Sequence, residues 1–521
     1  MILLKGVEKM LKKILALLLV VLMVAPAIVS CGNDTSDDPK NTINYDTDDA
    51  VGGDGEDEDP LIGEIDEHID ELASQFNFKG KTFTWIGPNG WESPTEDEET
   101  GDAVSDARYF RQREIEDAFG LEWINNKAEM ADVAEGASPA IELIKQDVMA
   151  GTGSYDGAYG FNMHTQVLLI NDCLMNLTDF TTVDLDREWW YGGMRENLSI
   201  GGELYFLTGP IVTAYYQDTM SVVYNKQVAE DYGIDGLYDL VKDGEWTFDK
   251  MLEIADVIPE NANGSGAYRF ADADGVSTVL AHGYTLTEFD ENGNPRVPDT
   301  LSQEVVDLAD KYSRIYADDT QTVNLKGRGS GKSEKFEEKY GYENVQDMFA
   351  DGKILFLFIP TDEAAWLRNK DVNFGFLPMP KGSAEQEDYI SYGTARSAFN
   401  VFVPKSAKNA QMTDVVFEAM AALGYKYFKS TCYDNMLKSR SVKDFESKDM
   451  LDIIFATKKY DIINVVDKGA STSGDGEIVT LYNTAIEETS GSFVSRYFIT
   501  SKIVNGNIKN ILANIAADVD K

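Results

Sequence analysis

The chain has 521 residues, of which 43% are hydrophobic and 11% aromatic, so it can build two or three domains around a large core. Its 90 acidic side chains outnumber 46 basic ones and give a formal net charge of −44. This balance argues against nucleic acid as a partner, because such binding needs a basic surface. It argues equally against docking on an anionic membrane through the overall protein charge.

The N-terminus has the pattern of a bacterial export signal. A positive stretch with Lys5, Lys12 and Lys13 precedes an apolar run over residues 14–24, which is short for a membrane span. The tetrapeptide Ile-Val-Ser-Cys that ends at Cys31 resembles the lipobox, in which the cysteine is lipidated and becomes the mature N-terminus. We therefore predict a lipoprotein signal peptide over residues 1–30. The lipid anchor on Cys31, such as palmitate, places the chain outside the cytoplasm on the cell membrane.

Two alternatives to this interpretation are an ordinary signal peptide and an uncleaved anchor. Both Met1 and Met10 can serve as the start, because residues 10–31 alone make a complete signal. Residues 31–77 are predicted to be an acidic, disordered tether, since they contain few apolar groups. The acidic runs could bind calcium weakly, but their spacing is not that of an EF-hand loop. The folded body is expected to begin near Phe78.

Strands and helices alternate in the first part of the body. The predicted elements are a strand over 81–86, a helix over 106–119, a strand over 121–124, a helix from 138 to 151 and a strand over 155–160. Gly120 and Gly151 suit the ends of the two helices, and Ser138 with Pro139 suits the start of the second. This alternation is typical of a mainly parallel sheet covered by helices, an α/β fold.

The second part of the body also contains both predicted strands and predicted helices. The predicted elements are a hairpin over 198–207, a strand over 219–224, helices from 226 and over 247–258, a hairpin tip over 289–295, and strands over 354–359, 374–377 and 398–403. The segment over 354–359 is apolar throughout, as expected of a buried strand. Roughly the last ninety residues have a helical pattern.

Seven short segments stand in the order of a known family. They are 151–156 (GTGSYD), 202–206 (GELYF), 221–226 (SVVYNK), 244–248 (GEWTF), 349–353 (FADGK), 375–381 (GFLPMPK) and 444–447 (DFES). They resemble motifs of the extracellular solute-binding proteins of ABC importers, the family 1-like group that includes maltose-binding protein. Each segment alone is common. The set, behind a lipobox, extends the resemblance over roughly residues 78–510.

The resemblance implies a periplasmic-binding-protein type II fold, with two α/β lobes joined by a hinge. Lobe 1 is expected at residues 78–218 with 390–430, and lobe 2 at residues 219–389 with 431–521. The lobes would close around a small ligand, a sugar or oligosaccharide, and a monomeric chain would deliver it to a membrane permease. The family implies neither catalysis nor a cofactor. A peptide ligand, a surface glycan-binding adhesin and a glycoside-active enzyme are the open alternatives.

Candidate ligand contacts lie on loops after strands, where open α/β sheets bind their ligands. Sugars present apolar faces and hydroxyl rims, so a sugar site needs aromatic platforms with polar groups at their edges. The candidates taken from these loops and from the family's pattern are Trp91, Asn162, His164, Tyr216, Asp218, Trp366, Tyr392 and Arg396.

Each candidate has a functional and a structural interpretation. Asp218 stands where the family has an acidic ligand contact before its crossing strand, and capping of the hinge is the alternative. Trp366 stands where the family often has a cleft tryptophan, and packing between lobes is the alternative. Trp91 is a stacking wall or a loop anchor. Arg396 would grip an acidic ligand through two hydrogen bonds or form a plain salt bridge.

The remaining candidates follow from position in the chain. Asn162 and His164 come after the strand over 155–160, where the family has a ligand loop. A hydrogen bond suits His164 better than a metal, because the chain has only three histidines and none has metal-ligand spacing. Tyr216 precedes the first crossing strand, and Tyr392 lies beside the second.

Other motifs carry no function. Cys173 and Cys432 lack metal-ligand spacing, and free buried thiols are favoured over a disulfide, although the sequence leaves both open. The segment over 327–333 resembles a phosphate loop but has Lys326 where the first glycine is needed. We therefore predict neither a metal site nor a nucleotide site.

Overall fold

Two large β-sheets organise the part of the chain that the computed structural model describes. This part comprises residues 59–88, 93–128, 138–261, 264, 266–271, 275–323, 333–364, 366–367, 370–393, 399–437, 445–467, 477–487 and 492–519. The predicted signal peptide and Cys31 lie outside it. From residue 59 onward the chain forms one unit with its own core. Within these ranges no helix is both long and apolar enough to cross a membrane.

The secondary structure alternates as follows. The strands are β1 (Thr82–Pro88), β2 (Glu122–Ala128), β3 (Gly157–Phe161), β4 (Met220–Asn225), β5 (Tyr268–Ala271), β6 (Glu288–Phe289), β7 (Pro295–Arg296), β8 (Thr322–Val323), β9 (Ile354–Pro360), β10 (Phe374–Leu377), β11 (Ser391–Tyr392), β12 (Phe399–Phe402) and β13 (Lys458–Lys459). The helices are α1 (Pro60–Gln75), α2 (Ala103–Phe119), α3 (Pro139–Ala150), α4 (Asn162–Ile170), α5 (Met194–Leu198), α6 (Ala214–Gln217), α7 (Lys226–Asp231), α8 (Leu237–Lys242), α9 (Phe248–Ala255), α10 (Gly275–Ala281), α11 (Gln303–Tyr316), α12 (Ser333–Tyr340), α13 (Val345–Ala350), α14 (Thr361–Ala364), α15 (Ala410–Leu437), α16 (Phe445–Ala456), α17 (Ile463–Val466), α18 (Glu477–Glu487) and α19 (Phe493–Val519).

The first sheet has the strand order β12-β3-β1-β2. Strand β1 runs parallel to β2 and β3, whereas β12 is antiparallel to β3. Gly157 of β3 lies opposite Trp85 of β1. A Cβ atom on Gly157 would come within 2.7 Å of the Trp85 ring, so glycine permits this pairing. The parallel α/β core predicted from the alternation of strands and helices is confirmed.

The second sheet has the strand order β10-β4-β9-β5-β8. All seven residues of β9, at its centre, are buried, as expected from the apolar segment over 354–359. Strand β4 pairs antiparallel with β9 and β10, and β5 pairs parallel with β9 and β8. The two sheets and their helices form the two α/β lobes that the resemblance implies.

The predicted helix ends in the first lobe are confirmed. Helices α2 and α3 end at Gly120 and Gly151, which adopt left-handed backbone angles with φ of 67° and 64°. Each glycine donates its backbone N–H to a carbonyl of the preceding turn. Ser138 and Pro139 stand at the N-cap and first position of α3, although the Ser138 side chain makes no capping hydrogen bond.

Helix α1 occupies a stretch that was predicted to be disordered tether, so that prediction is wrong for residues 60–75. Asp59 caps the helix by accepting from the backbone N–H of Leu61 at 3.1 Å. One face of α1 packs on α15 and α2 and buries four residues, Leu61, Ile65, Ile69 and Leu72. Their helical spacing escapes a composition argument because acidic side chains fill the positions between them.

Ile65→Ala is expected to lower the free energy of unfolding by about 2–4 kcal/mol, because the fully buried side chain leaves a cavity between α1 and α15. Chemical denaturation of the chain from residue 59 onward measures this change. Glu67→Ala on the exposed face of the same helix is the control and should stay within about 0.5 kcal/mol of the parent. Equal, small effects of both variants would show that α1 does not pack on the body.

Three segments connect the lobes, and we call them the crossing segments: residues 215–219, 388–393 and 455–460. Strands β11 and β13 pair in parallel, and Thr219 bridges Gly393 in antiparallel fashion, so the three segments lie side by side. Helix α16 packs on β10 and α18 packs on α10 and α11, whereas α17 packs on α4 of the first lobe. The exact lobe boundaries proposed from the sequence stay a prediction.

Candidate functional site at the crossing segments

Lys458 is a buried lysine at the centre of the crossing segments. Its Nζ donates to the carbonyl oxygen of Tyr215 at 2.7 Å and lies 3.4 Å from the carbonyl oxygen of Asp218. The rings of Tyr215 and Tyr460 flank the Nζ atom at 4.8 and 4.7 Å. Burial lowers the pKa of Lys458 to about 7, and the nearby carboxyl groups of Asp218 and Asp362 oppose this shift.

Asp362 reaches the same cluster from the end of β9. Burial raises the pKa of its carboxyl group to about 7, and repulsion from the adjacent Glu363 adds to the shift. The neighbouring Thr361 hydroxyl contacts the carbonyl oxygens of Tyr216 and Gln217, both at 2.8 Å. This contact holds the start of α14 against the first crossing segment, so Asp218, Asp362 and Lys458 converge from three separate parts of the chain.

Asn162 and His164 open helix α4 directly after β3, and both are buried. Asn400 of β12 donates its amide to Asn162 Oδ1 at 2.8 Å and to Thr165 Oγ1 at 3.0 Å. The backbone N–H of Phe161 donates to His164 Nδ1 at 3.3 Å. A neutral His164 in this arrangement carries its proton on Nε2. Asn400 on the neighbouring strand thus fixes the orientation of Asn162, and the backbone of Phe161 fixes that of His164.

Helix α17 faces α4 and joins the second crossing segment to the first lobe. Gln166 of α4 donates to the carbonyl oxygen of Val466 at 2.8 Å, and the Tyr392 hydroxyl donates to Asn464 Oδ1. Asn464 Nδ2 is buried and has no hydrogen-bond partner among the described residues. Asp467 accepts from the first backbone N–H groups of α18 and thereby fixes that helix beside α17.

The predicted site residues are distributed unevenly. Asp218 and Tyr392 lie on neighbouring crossing segments, and Asn162 and His164 lie at the start of α4. Trp366 follows α14 with 65% of its surface exposed. Trp91 and Arg396 lie outside the described residues. Their assignment as ligand contacts stays a prediction.

Tyr216 points into an aromatic cluster and is nearly fully buried. Its ring makes edge contacts with Tyr215, Tyr433 and Phe455 at 5.1–6.4 Å. It borders a cavity of about 700 Å³ whose walls also include Trp190, Tyr191, Tyr389 and Lys458. None of Asn162, His164, Asp218 and Tyr392 lines this cavity.

Sequence reasoning missed Lys458, Asp362 and Asn464. Lys458 lies in a stretch that has a helical pattern. Asp362 lies four residues before Trp366, the residue of that segment that the family pattern indicates. In the described ranges no group of three or more His, Cys, Asp or Glu side chains is placed to hold a metal ion. Cys173 and Cys432 are separate, buried thiols.

A family model described as "Bacterial extracellular solute-binding protein" matches residues 131–424, which is more than half of the chain. The chain belongs to this family. The match includes the second sheet, strands β3 and β12 of the first sheet and the first two crossing segments, so it confirms the resemblance seen in the short motifs. A comparison of this solute-binding protein with curated proteins gives no match.

Solved structures of similar fold come from several bacteria. MalE, a sugar-binding protein of Xanthomonas citri, is 12% identical, with a TM-score of 0.55 over 85% of this chain and 100% of its own. A sugar transporter protein of Rhizobium etli in an open conformation is 13% identical, with a TM-score of 0.53 over 81% and 99%. UspC of M. tuberculosis is 12% identical, with a TM-score of 0.52 over 82% and 100%. At this level of identity the likeness establishes the two-lobed fold alone.

Proposed function

We propose that this solute-binding protein captures a sugar or oligosaccharide between its lobes and delivers it to an ABC permease, from a lipid anchor at Cys31. The observation that carries the proposal is the convergence of Asp218, Asp362 and Lys458 at the crossing segments. Two carboxyl groups and one amine around aromatic rings match the hydroxyl rims and apolar faces of a sugar. The sugar-binding proteins of the same fold add support.

The proposed contacts divide by chemistry. Carboxyl and amide groups would bind hydroxyls, and an exposed indole such as that of Trp366 would stack on the ring face and contribute about 0.5–1.5 kcal/mol beyond its buried area. The proposed contacts are the residues named from the sequence, Trp91, Asn162, His164, Tyr216, Asp218, Trp366, Tyr392 and Arg396, together with Asp362 and Asn464.

Ligand capture and lobe closure would be coupled through these groups. A ligand that touches α4 of the first lobe and Trp366 of the second makes all its contacts only when the lobes are closed, so it favours the closed state. The closed form is then the one that the permease recognises. The proposal includes no catalytic step, and we expect sugars to be released unaltered.

Thermal melting of the chain from residue 59 onward, screened against monosaccharides, oligosaccharides and short peptides, tests the proposal. A ligand at about 100 times its dissociation constant adds roughly 2.7 kcal/mol of stability and raises the melting temperature. We expect a shift with one class of sugar and a reduced shift for Asp218→Asn and Trp366→Ala. Phe110→Ala, which removes an exposed ring from α2, is the control and should respond like the parent.

Three results would contradict parts of this proposal. A rise in melting temperature with peptides alone would mean that the ligand is a peptide and not a sugar. A sugar shift that Asp218→Asn and Trp366→Ala leave intact would place the ligand elsewhere. Conversion of the bound oligosaccharide into smaller products, detected by chromatography, would make the protein an enzyme.

A further inference from the structure

The C-terminal helix α19 exposes an unusual number of large apolar side chains. Val494, Phe498, Ile499 and Ile503 have exposed fractions of 54%, 48%, 61% and 47%. They form two pairs spaced four residues apart, 494 with 498 and 499 with 503, so each pair lies along one side of the exposed half of the helix. We call this surface the α19 face.

The charge of the α19 face is opposite to that of the chain as a whole. Residues 493–517 contain no Asp or Glu, whereas Arg496, Lys502 and Lys509 are exposed on the same half of the helix. Lys502 holds its Nζ 3.7 Å from the centroid of the Phe498 ring. In a chain of net charge −44, this surface is basic and apolar.

Acidic groups do approach the edge of the helix. Burial raises the pKa of Tyr497, and the negative charges of Glu288 and Asp299 add to this rise. Tyr497 lies on the opposite side of α19 from the exposed pairs. Glu288 forms an ion pair with Arg296 at 2.5 Å, so its charge is balanced within the β6–β7 hairpin. The Glu288 charge therefore does not cancel the basic character of the α19 face.

The buried side of α19 is firmly packed. Phe493, Tyr497, Val504, Ile508 and Ile511 are buried, and the helix contacts α18, α17, α4 and β7. The Tyr497 hydroxyl donates to the carbonyl oxygen of Pro298 at 3.0 Å. Since the body holds the helix, its exposed side chains are presented on a fixed, convex surface.

We infer that the α19 face docks on an anionic lipid surface. Apolar side chains flanked by lysine and arginine are the composition of helices that lie in the membrane interface, where the rings and aliphatic chains enter the headgroup boundary and the cations bind phosphates. A convex helix fits a flat, deformable lipid layer without a matching groove. A symmetric dimer is a poorer alternative, because the basic side chains of one α19 face would meet those of the other.

The overall negative charge of the chain would favour one orientation of the body on the membrane. An anionic membrane repels the acidic remainder of the surface and attracts only this face, so the body would meet the lipid in one orientation. A lipid anchor at Cys31, predicted from the sequence, would keep the body near such a surface. This inference does not depend on the ligand of the protein, since α19 exposes these side chains outside the candidate site.

Sedimentation with lipid vesicles tests the inference on residues 59–521, which lack the lipidation site. We expect the protein to pellet with phosphatidylglycerol vesicles at about 50 mM salt, much less at about 500 mM, and weakly with phosphatidylcholine. The double variant Phe498→Ser/Ile499→Ser should weaken binding about tenfold or more. Phe110→Ser, which removes a ring of 41% exposure from α2, should bind like the parent.

Thermal melting of each variant checks that the body stays folded, which is expected because every substituted side chain is exposed. Three outcomes would overturn the inference. They are no binding to phosphatidylglycerol at low salt, equal weakening by Phe110→Ser, and a concentration-dependent dimer that the double variant abolishes. The last result would assign the α19 face to self-association instead.

Discussion

Lys458→Met is expected to lower the free energy of unfolding by about 3–5 kcal/mol, the cost of leaving buried groups without their partner ion. Near pH 6, below the pKa of about 7 that both groups reach, Lys458 is charged and Asp362 is neutral. Attraction from the Asp218 carboxyl group favours the charged form of Lys458 more than attraction from Asp362 does. The variant also removes one of two donors to the carbonyl oxygen of Tyr215, which keeps the Thr219 hydroxyl at 3.1 Å.

Denaturant unfolding near pH 6 measures this effect against matched controls. Lys459→Met, at the exposed neighbouring position, should stay within about 0.5 kcal/mol of the parent. Asp218→Asn in the Lys458→Met background should restore part of the loss, whereas Asp362→Asn should restore little. If Asp218→Asn deepens the loss instead, the pairing of Lys458 with Asp218 is not what stabilises the crossing segments.

Glu418→Ala should cost about 3–5 kcal/mol of stability for a different reason. The Glu418 side chain is fully buried in α15 and accepts from the indole N–H groups of Trp189 and Trp190 at 2.8 and 2.9 Å. It also accepts from the backbone N–H of Asp184 at 3.0 Å and lies 3.1 Å from Nε2 of His68 in α1. Truncation leaves these donors buried without an acceptor.

Glu418→Gln tests whether the hydrogen bonds accepted by Glu418 contribute more to stability than the packing of its side chain does. The amide keeps one oxygen and places an NH₂ group against a remaining donor, so its stability should lie between those of the parent and the alanine variant. Glu142→Ala, which removes a half-exposed glutamate from α3, is the control and should change the free energy of unfolding very little. Equal stabilities of the Gln and Ala variants would mean that lost packing, not lost hydrogen bonding, sets the cost.

The fold was predictable where local pattern and tertiary structure agree. The apolar segment that became β9, the glycines that end α2 and α3, and the alternation in the first lobe all act within a few residues of chain. Helix α1 was not predictable from composition, because its stability comes from contacts with α15, more than 300 residues away in sequence. A test of helical spacing in that acidic stretch would have found its apolar face.

The candidate site was predictable only in part. Asp218 was found because it has a fixed place before a recognisable strand. Lys458 had no local signal, since the stretch around it resembles a helix and its function in the cluster depends on Asp218, about 240 residues earlier. A buried lysine looks like a surface lysine in sequence; only the three-dimensional meeting of the crossing segments distinguishes it from Lys459.

Helix α1 also determines which lobe bears a mechanical pull on the chain that precedes residue 59. Asp59 binds the Tyr425 hydroxyl and the Lys429 ammonium of α15 at 3.0 Å, so the first turn of α1 is fastened to the first lobe. A pull on the chain before residue 59 is therefore resisted by that lobe, and it reaches the second lobe through the crossing segments and through α19, which packs on both α4 and α18. If ligand capture closes the lobes as proposed, the first lobe would stay fixed to the preceding chain and the second lobe would move.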